Sequence, residues 1–272
     1  MSIIVIEKKS KWNIADFKEL WQYRDLLKIF AGRDIRLRYK QTVLGFVWAL
    51  LQPLVPSLIF TVIFGMFAKL PSNGNNYMIF VFTGTMIWNL FSHSIDRGGN
   101  SLVSNERLIS KVYFPRMLIP LSSLGAVLFD FLITGLLLAV LIIIFKVQIT
   151  IQLLYAPFFV MLALVTAAGI SLWLSALNVK YRDFMYAAPF VIQIWLYATP
   201  VVYSSSIVPA KYQWIFSFNP AVGFVEGFRW AILGNSSMTT QMVIISSITS
   251  VVALISGLFY FKSVERQFAD VI

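Results

Sequence analysis

From Val43 to Ala68 the chain carries no charged side chain, while a helix needs only ~20 apolar residues to cross a ~30 Å hydrocarbon core. Directly before this run, Arg33, Arg36, Arg38 and Lys40 fall within three helical turns. A stretch that passes from clustered cations into a spanning helix leaves few choices. It crosses a membrane, and its basic end stays on the cytoplasmic side. The cations, with Tyr39 among them, then lie at the depth of anionic lipid head groups.

Further apolar runs follow near Tyr77–Ser92, Met117–Phe145, Leu153–Leu177, Met185–Tyr203 and Gln241–Phe261. The second and fifth of the six spans are short for a full crossing, and the third is long enough to tilt. Six crossings place both termini on one side. With the N-terminus inside, eighteen Lys and Arg residues fall in cytoplasmic segments against four outside, so cytoplasmic termini are expected. That tally also accounts for the net charge of +10, and no nucleic-acid partner is expected. A composition of 58% hydrophobic and 12% charged residues departs from the ~45–50% and ~25% of soluble domains. Zero cysteines and one histidine leave no thiolate site and little for a metal cluster. No GxxxxGK[ST] loop occurs, so ATP is not expected to bind this chain by that motif.

The connections differ in character. Met1–Ser10 reads as a tail. Asn13–Lys40 reads as an amphipathic helix, with Phe17, Leu20, Trp21, Leu27 and Phe30 near helical spacing, suited to the membrane interface. Asp96–Arg116 reads as a polar cytoplasmic loop with a short helix around Val103–Lys111, and Asn178–Asp183 as a compact basic turn. Ser204–Thr240 is too apolar for a free loop. Pro209 and Pro220 divide it into two helical pieces too short to span, read here as re-entrant half-helices. The expected fold is therefore an all-α membrane protein. Residues 1–42 form a tail and interfacial helix, and 43–272 form a six-helix transmembrane domain.

Several side chains stand out. Phe46, Leu50, Pro53, Ser57, Phe60, Phe64 and Phe67 share one helical face of the first span; Tyr186, Phe190, Gln193 and Tyr197 do the same in the fifth. Asp130 lies inside the third span, where a carboxylate costs ~2.5–3.5 kcal/mol on insertion scales. No basic residue shares that span, and protonation or a helix–helix hydrogen bond would suffice to hold it. Glu226 and Arg229 are three residues apart and can pair on one helix face, either orienting the half-helix or lining an exit. His93 reads as an interfacial polar residue. An ion-coupled carrier would want more intramembrane ionisable groups and a repeat.

RLRYKQTVLGFVWALLQPL leading into the first span, NVKYRDF before the fifth, TPVVY at its outer end and FNP with a downstream arginine resemble, in order and spacing, one family. It is that of the permease subunits of bacterial ABC type-2 exporters for polysaccharides, which move lipid-linked O-antigen, capsule and teichoic-acid chains. The likeness covers essentially the whole chain. It implies an inner-membrane homodimer with two copies of a separate ATPase subunit, which would hold the ATP and magnesium, and no bond chemistry in this chain. The implied substrate is a lipid-linked polysaccharide of O-antigen type; teichoic acid, capsule or a small hydrophobic drug are the alternatives.

The resemblance also assigns roles. Ser104, Asn105, Glu106, Arg107 and Lys111 would contact the ATPase. Arg33, Arg36, Arg38, Tyr39 and Lys40 would take the lipid pyrophosphate of the substrate, or anchor to anionic phospholipid; both are phosphate binding. Phe46, Phe60, Phe64, Phe67, Tyr186, Phe190, Gln193, Tyr197 and Tyr203 would line the channel, where aromatic faces meet sugar C–H surfaces without deep wells that would stall transit. Asn219, Pro220, Glu226 and Arg229 would belong to the exit half-helices.

Overall fold

The computed structural model describes residues 20–40, 45–265 and 268, and these are helical throughout, joined by turns. In chain order the helices are α1 (Arg24–Tyr39), α2 (Gly45–Phe60, extended by π-helical turns over Thr61–Phe67), α3 (Tyr77–Ser104) and α4 (Glu106–Ile109). Then come α5 (Leu118–Ile144), α6 (Ala156–Lys180, preceded by a 3-10 turn at Ile151–Tyr155), α7 (Phe184–Tyr197), α8 (Ala210–Phe216), α9 (Pro220–Leu233) and α10 (Thr240–Val264). Among the described residues, five stretches are long and apolar enough to cross a membrane: Val47–Phe67, Tyr77–Ser104, Leu118–Ile144, Ile151–Lys180 and Thr240–Val264. The chain is a multi-pass membrane protein. At the position of the predicted fifth span, α7 has only 14 residues. That is ~21 Å of helix, short of a ~30 Å core.

The helix α3 is the axle. The sequence predicts a span ending at Ser92 and a polar loop from Asp96, but the helix runs on for 28 residues to Ser104. Hydropathy measures fitness for lipid, and α3 meets protein instead: α6, α5, α9 and α2 close around it. Its polar half is held by partners on those helices. Asn178 Nδ2 donates to the Gly99 carbonyl at 2.8 Å and to Asn100 Oδ1 at 3.0 Å, and Ser171 Oγ donates to the Ser94 carbonyl at 3.0 Å.

On α2, Pro53 and Pro56 lie inside the helix, and each removes the N–H that would bond the carbonyl four residues back. In a membrane a freed carbonyl needs a partner from the protein. Thr134 of α5 supplies one, donating to the Ala49 carbonyl that Pro53 strands, at 3.2 Å. Ser57 Oγ donates to the Pro53 carbonyl at 2.6 Å and lies 2.8 Å from Thr85 Oγ1 on α3. The prolines thus tie α2 to α5 and α3.

The helices α6 and α10 pack through small residues. A Cβ on Gly169 would stand 2.5 Å from the Ala253 carbonyl, and one on Gly257 would strike the Gly169 backbone. Trp173 stacks on Tyr260 beside this contact, centroids 3.9 Å apart. Because backbone faces backbone, no rotamer change can absorb a larger side chain. Gly169→Val is expected to push the helices apart, at the upper end of the ~1–3 kcal/mol typical of overpacking. A lowered melting midpoint of the detergent-solubilised protein checks this.

At the end of the bundle where α3 stops and α5 begins, here called the basic end, α1 packs along α5. Leu20, Leu26, Leu27 and buried Phe30 face a cluster with Leu102, Phe114, Phe261 and Phe268. Trp21, expected on the apolar side, is 70% exposed. Phe17, the tail and the boundary at residue 42 lie outside the described residues.

Candidate functional site

The predicted basic cluster separates into two sets of side chains. Arg33 turns inward and donates to Asp34 Oδ1 and, through Nη2, to Asn105 Oδ1 at 2.9 Å. Arg38 and Tyr39 also turn inward, each donating to a different oxygen of Asp130 on α5. Arg97 Nη2 of α3 stands 3.8 Å from the same carboxylate. Arg36 and Lys40 are exposed. The reading that left Asp130 without a basic neighbour is therefore corrected. Its partners come from α1 and α3, not from its own span.

Asp130 lies well inside α5, ~18 Å along the helix from Leu118. Burial raises the Tyr39 phenol above its ordinary range, and the bond to Asp130 raises it further, so Tyr39 remains a donor. Its ring stands edge-on to Phe129, centroids 5.8 Å apart. Next to the carboxylate is a small cavity of mixed lining between α2, α3 and α5, where Gln52, Asn89, His93, Asp130 and Thr134 share the wall with Met86, Leu90, Val127 and Phe131. His93, expected at the end of a span, is in the body of α3.

At the opposite end, α9 carries a second charged centre. Glu226 and Arg229 lie 3.3 Å apart with both side chains fully buried. Arg229 Nε donates to the Phe80 carbonyl at 3.2 Å, and Nη2 to the carbonyls of Pro200 at 3.0 Å and Val201 at 2.8 Å. The guanidinium also sits 3.8 Å over the Phe80 ring. Glu226 Oε1 accepts from the Ser205 N–H at 2.9 Å. Neither side chain reaches solvent.

Asn219 joins the same region to α7. Its Oδ1 caps α9 by accepting from the Ala221 N–H at 3.0 Å and accepts from Trp195 Nε1 at 2.9 Å. Its Nδ2 donates to the Ala198 carbonyl and Thr199 Oγ1. Pro220 takes the first helical position of α9, where a missing N–H costs nothing. The segments TPVVY and FNP are thus two halves of one connection. Where α7 unwinds, carbonyls left without helical donors are taken by Asn219 and Arg229. Gly84 leaves room for it, since a Cβ there would meet the Val201 carbonyl and Arg229 at 2.5 Å.

The predicted channel residues fall into different surroundings. On α7, Tyr186 (82% exposed), Phe190 (64%) and Tyr197 (61%) turn away from the chain's own core, and Gln193 is exposed with them. Tyr203 is half-buried. On the first span, Phe60 and Phe64 are half-buried against the core and Phe67 is exposed. The outward face there carries Trp48, Leu58, Ile59, Ile63 and Met66. The side chain of Phe46 lies outside the described residues.

At the basic end, α4 lies within the predicted short helix. Ser104, Glu106, Arg107 and Lys111 are exposed, together with Tyr113, whereas Asn105 is turned toward Arg33. Sequence reasoning missed Arg97, because it was assigned to a loop. It also missed Thr134, although a proline four residues after a membrane-buried carbonyl signals that a donor is needed.

The family model of the ABC-2 type transporter matches residues 25–233, from α1 through α9. The O-antigen export system permease protein RfbA of Klebsiella pneumoniae is 27% identical over 249 residues, 91% of this chain and 95% of that protein. A second such protein from the same organism is 28% identical over the same length, and the one from Myxococcus xanthus is 27% identical over 255 residues, 93% and 97% of the two chains. Both charged centres lie within the matched segment, and on that match the chain belongs to the ABC-2 type transporter family.

Proposed function

We propose that this chain is the channel-forming permease of an exporter that moves a lipid-linked polysaccharide of O-antigen type across the bacterial inner membrane. ATP and magnesium bind to a separate ATPase subunit, present in two copies, and this chain makes and breaks no bonds. The observation that carries the reading is similarity along nearly the whole chain to three proteins named as O-antigen export permeases.

The structure supports an arrangement for this function. Gln193 and the tyrosine hydroxyls of α7 would be costly facing lipid, which favours a second copy of the chain opposite them. Two such stripes and the exposed parts of the first spans would then enclose a pore on a two-fold axis. The turns after Tyr197 would complete the sixth crossing, and α8 and α9 would be the half-helices at its exit, held by Asn219 and Arg229. The excess of Lys and Arg at the basic end supports cytoplasmic termini. There Glu106, Arg107, Lys111 and Tyr113 would dock the ATPase, with Arg36 and Lys40 free to meet lipid phosphates. Deleting the gene in its host tests the reading. Lipid-linked polysaccharide is expected to accumulate inside the cell and vanish from its surface; an unchanged surface would refute it.

A further inference from the structure

The helix α4 cannot hold its own place. Its four residues make a single turn, far short of the ~12–15 at which a helix begins to persist alone. Of the four, only Ile109 is buried. Its position is therefore set by whatever grips the chain on either side. Before it, α3 ends at Ser104 and Asn105 accepts from Arg33. After it comes an irregular segment, residues 110–117, in which Lys111, Val112 and Tyr113 are exposed while Phe114 and Met117 are buried.

The grip on this second side comes from two residues just past α10, outside the segment that the family model matches. Arg116 Nη1 donates to the Glu265 carbonyl at 2.9 Å, and the Arg116 N–H to Glu265 Oε1 at 3.4 Å. The last carbonyls of a helix lack intrahelical donors and carry partial negative charge, so a guanidinium suits the end of α10. Lys262 Nζ stands 3.1 Å from the other carboxylate oxygen, Glu265 Oε2. Phe268, fully buried, meets Phe261 edge-on with centroids 5.4 Å apart. It belongs to the same apolar cluster as Ile109 and Phe114, and Phe114 stands 5.5 Å from the Phe30 ring of α1. We propose that Glu265 and Phe268 are positioning residues for the ATPase contact. They fix the segment after α4, and with it the direction in which Glu106, Arg107, Lys111 and Tyr113 are presented. The partner rests on the docking reading of α4 given above.

Two measurements on the full-length chain in nanodiscs test this. Without any ATPase, hydrogen exchange across residues 104–117 is expected to quicken about tenfold in Phe268→Ala and in Arg116→Gln, with α9 protected as in the wild type. Phe268→Leu, which restores most of the apolar volume, is expected to recover most of the protection. The second measurement titrates each variant with the ABC-type ATPase of its host that binds the wild-type chain. Phe268→Ala is expected to need about tenfold more ATPase for half-saturation, with the maximal hydrolysis rate unchanged; a general folding defect would lower that maximum instead. Wild-type exchange in folded Phe268→Ala overturns the proposal, as does wild-type exchange in Arg116→Gln should the first variant not fold. Faster exchange with unchanged half-saturation overturns the positioning role. Arg107→Glu separates the two readings. If it also titrates like the wild type, the docking reading of α4 has failed, and the exchange result still decides whether Glu265 and Phe268 hold the segment.

Discussion

Arg229→Leu is expected to leave almost no folded protein. The side chain is fully buried and serves the carbonyls of Phe80, Pro200 and Val201 as well as the Glu226 carboxylate. Removing one partner of a buried ion pair costs ~3–5 kcal/mol, because the other charge remains in a low-dielectric interior. Each carbonyl stranded without a donor adds ~1–3 kcal/mol. These costs together approach the whole stability of an ordinary domain, ~5–15 kcal/mol. Arg229→Lys is expected to recover little, since one ammonium cannot reproduce a planar fork aimed at several acceptors. Yield of monodisperse protein and its melting midpoint are the measurements. A Leu variant that elutes and melts like the wild type would show that the contacts of α9 with α3 and the end of α7 are dispensable.

Replacing Tyr186, Phe190 and Tyr197 together with alanine is expected to do the reverse, sparing the fold and removing the function. All three are largely exposed in the isolated chain, so their loss leaves the core of this chain intact. If they line a pore between two copies, export should fall at least tenfold, about 1.4 kcal/mol or more in the transport barrier, while the permease still assembles with its ATPase. Surface polysaccharide from a complemented deletion strain reads the effect. Wild-type export by the triple variant would place this face against lipid.

The helix positions were largely legible, because apolar length is a local property: Leu118–Ile144 and Thr240–Val264 lie within three residues of the predicted limits. Pro209 and Pro220 likewise marked the starts of α8 and α9. The end of α3 was not legible, since hydropathy cannot distinguish a polar segment in water from one whose Asn and Gly backbone groups are bonded by a neighbouring helix. The partners of Asp130 were hidden for a related reason. Arg38 and Tyr39 are some ninety residues away in sequence, and no periodicity encodes a contact at that range. TPVVY and FNP could be recognised as signatures, yet that Asn219 and Arg229 satisfy carbonyls where α7 unwinds required coordinates. The α7 stripe was readable at helical spacing, but its outward direction depended on which face α3 covers.

The central claim is tested most directly by copurifying the chain with ATPase subunits of ABC type from its host, reconstituting any complex in liposomes and adding lipid-linked polysaccharide. The account predicts a stable complex whose ATP hydrolysis rises with the glycan and which carries the glycan across the bilayer. A permease that associates with no ATPase, or a complex indifferent to lipid-linked glycan, would contradict it.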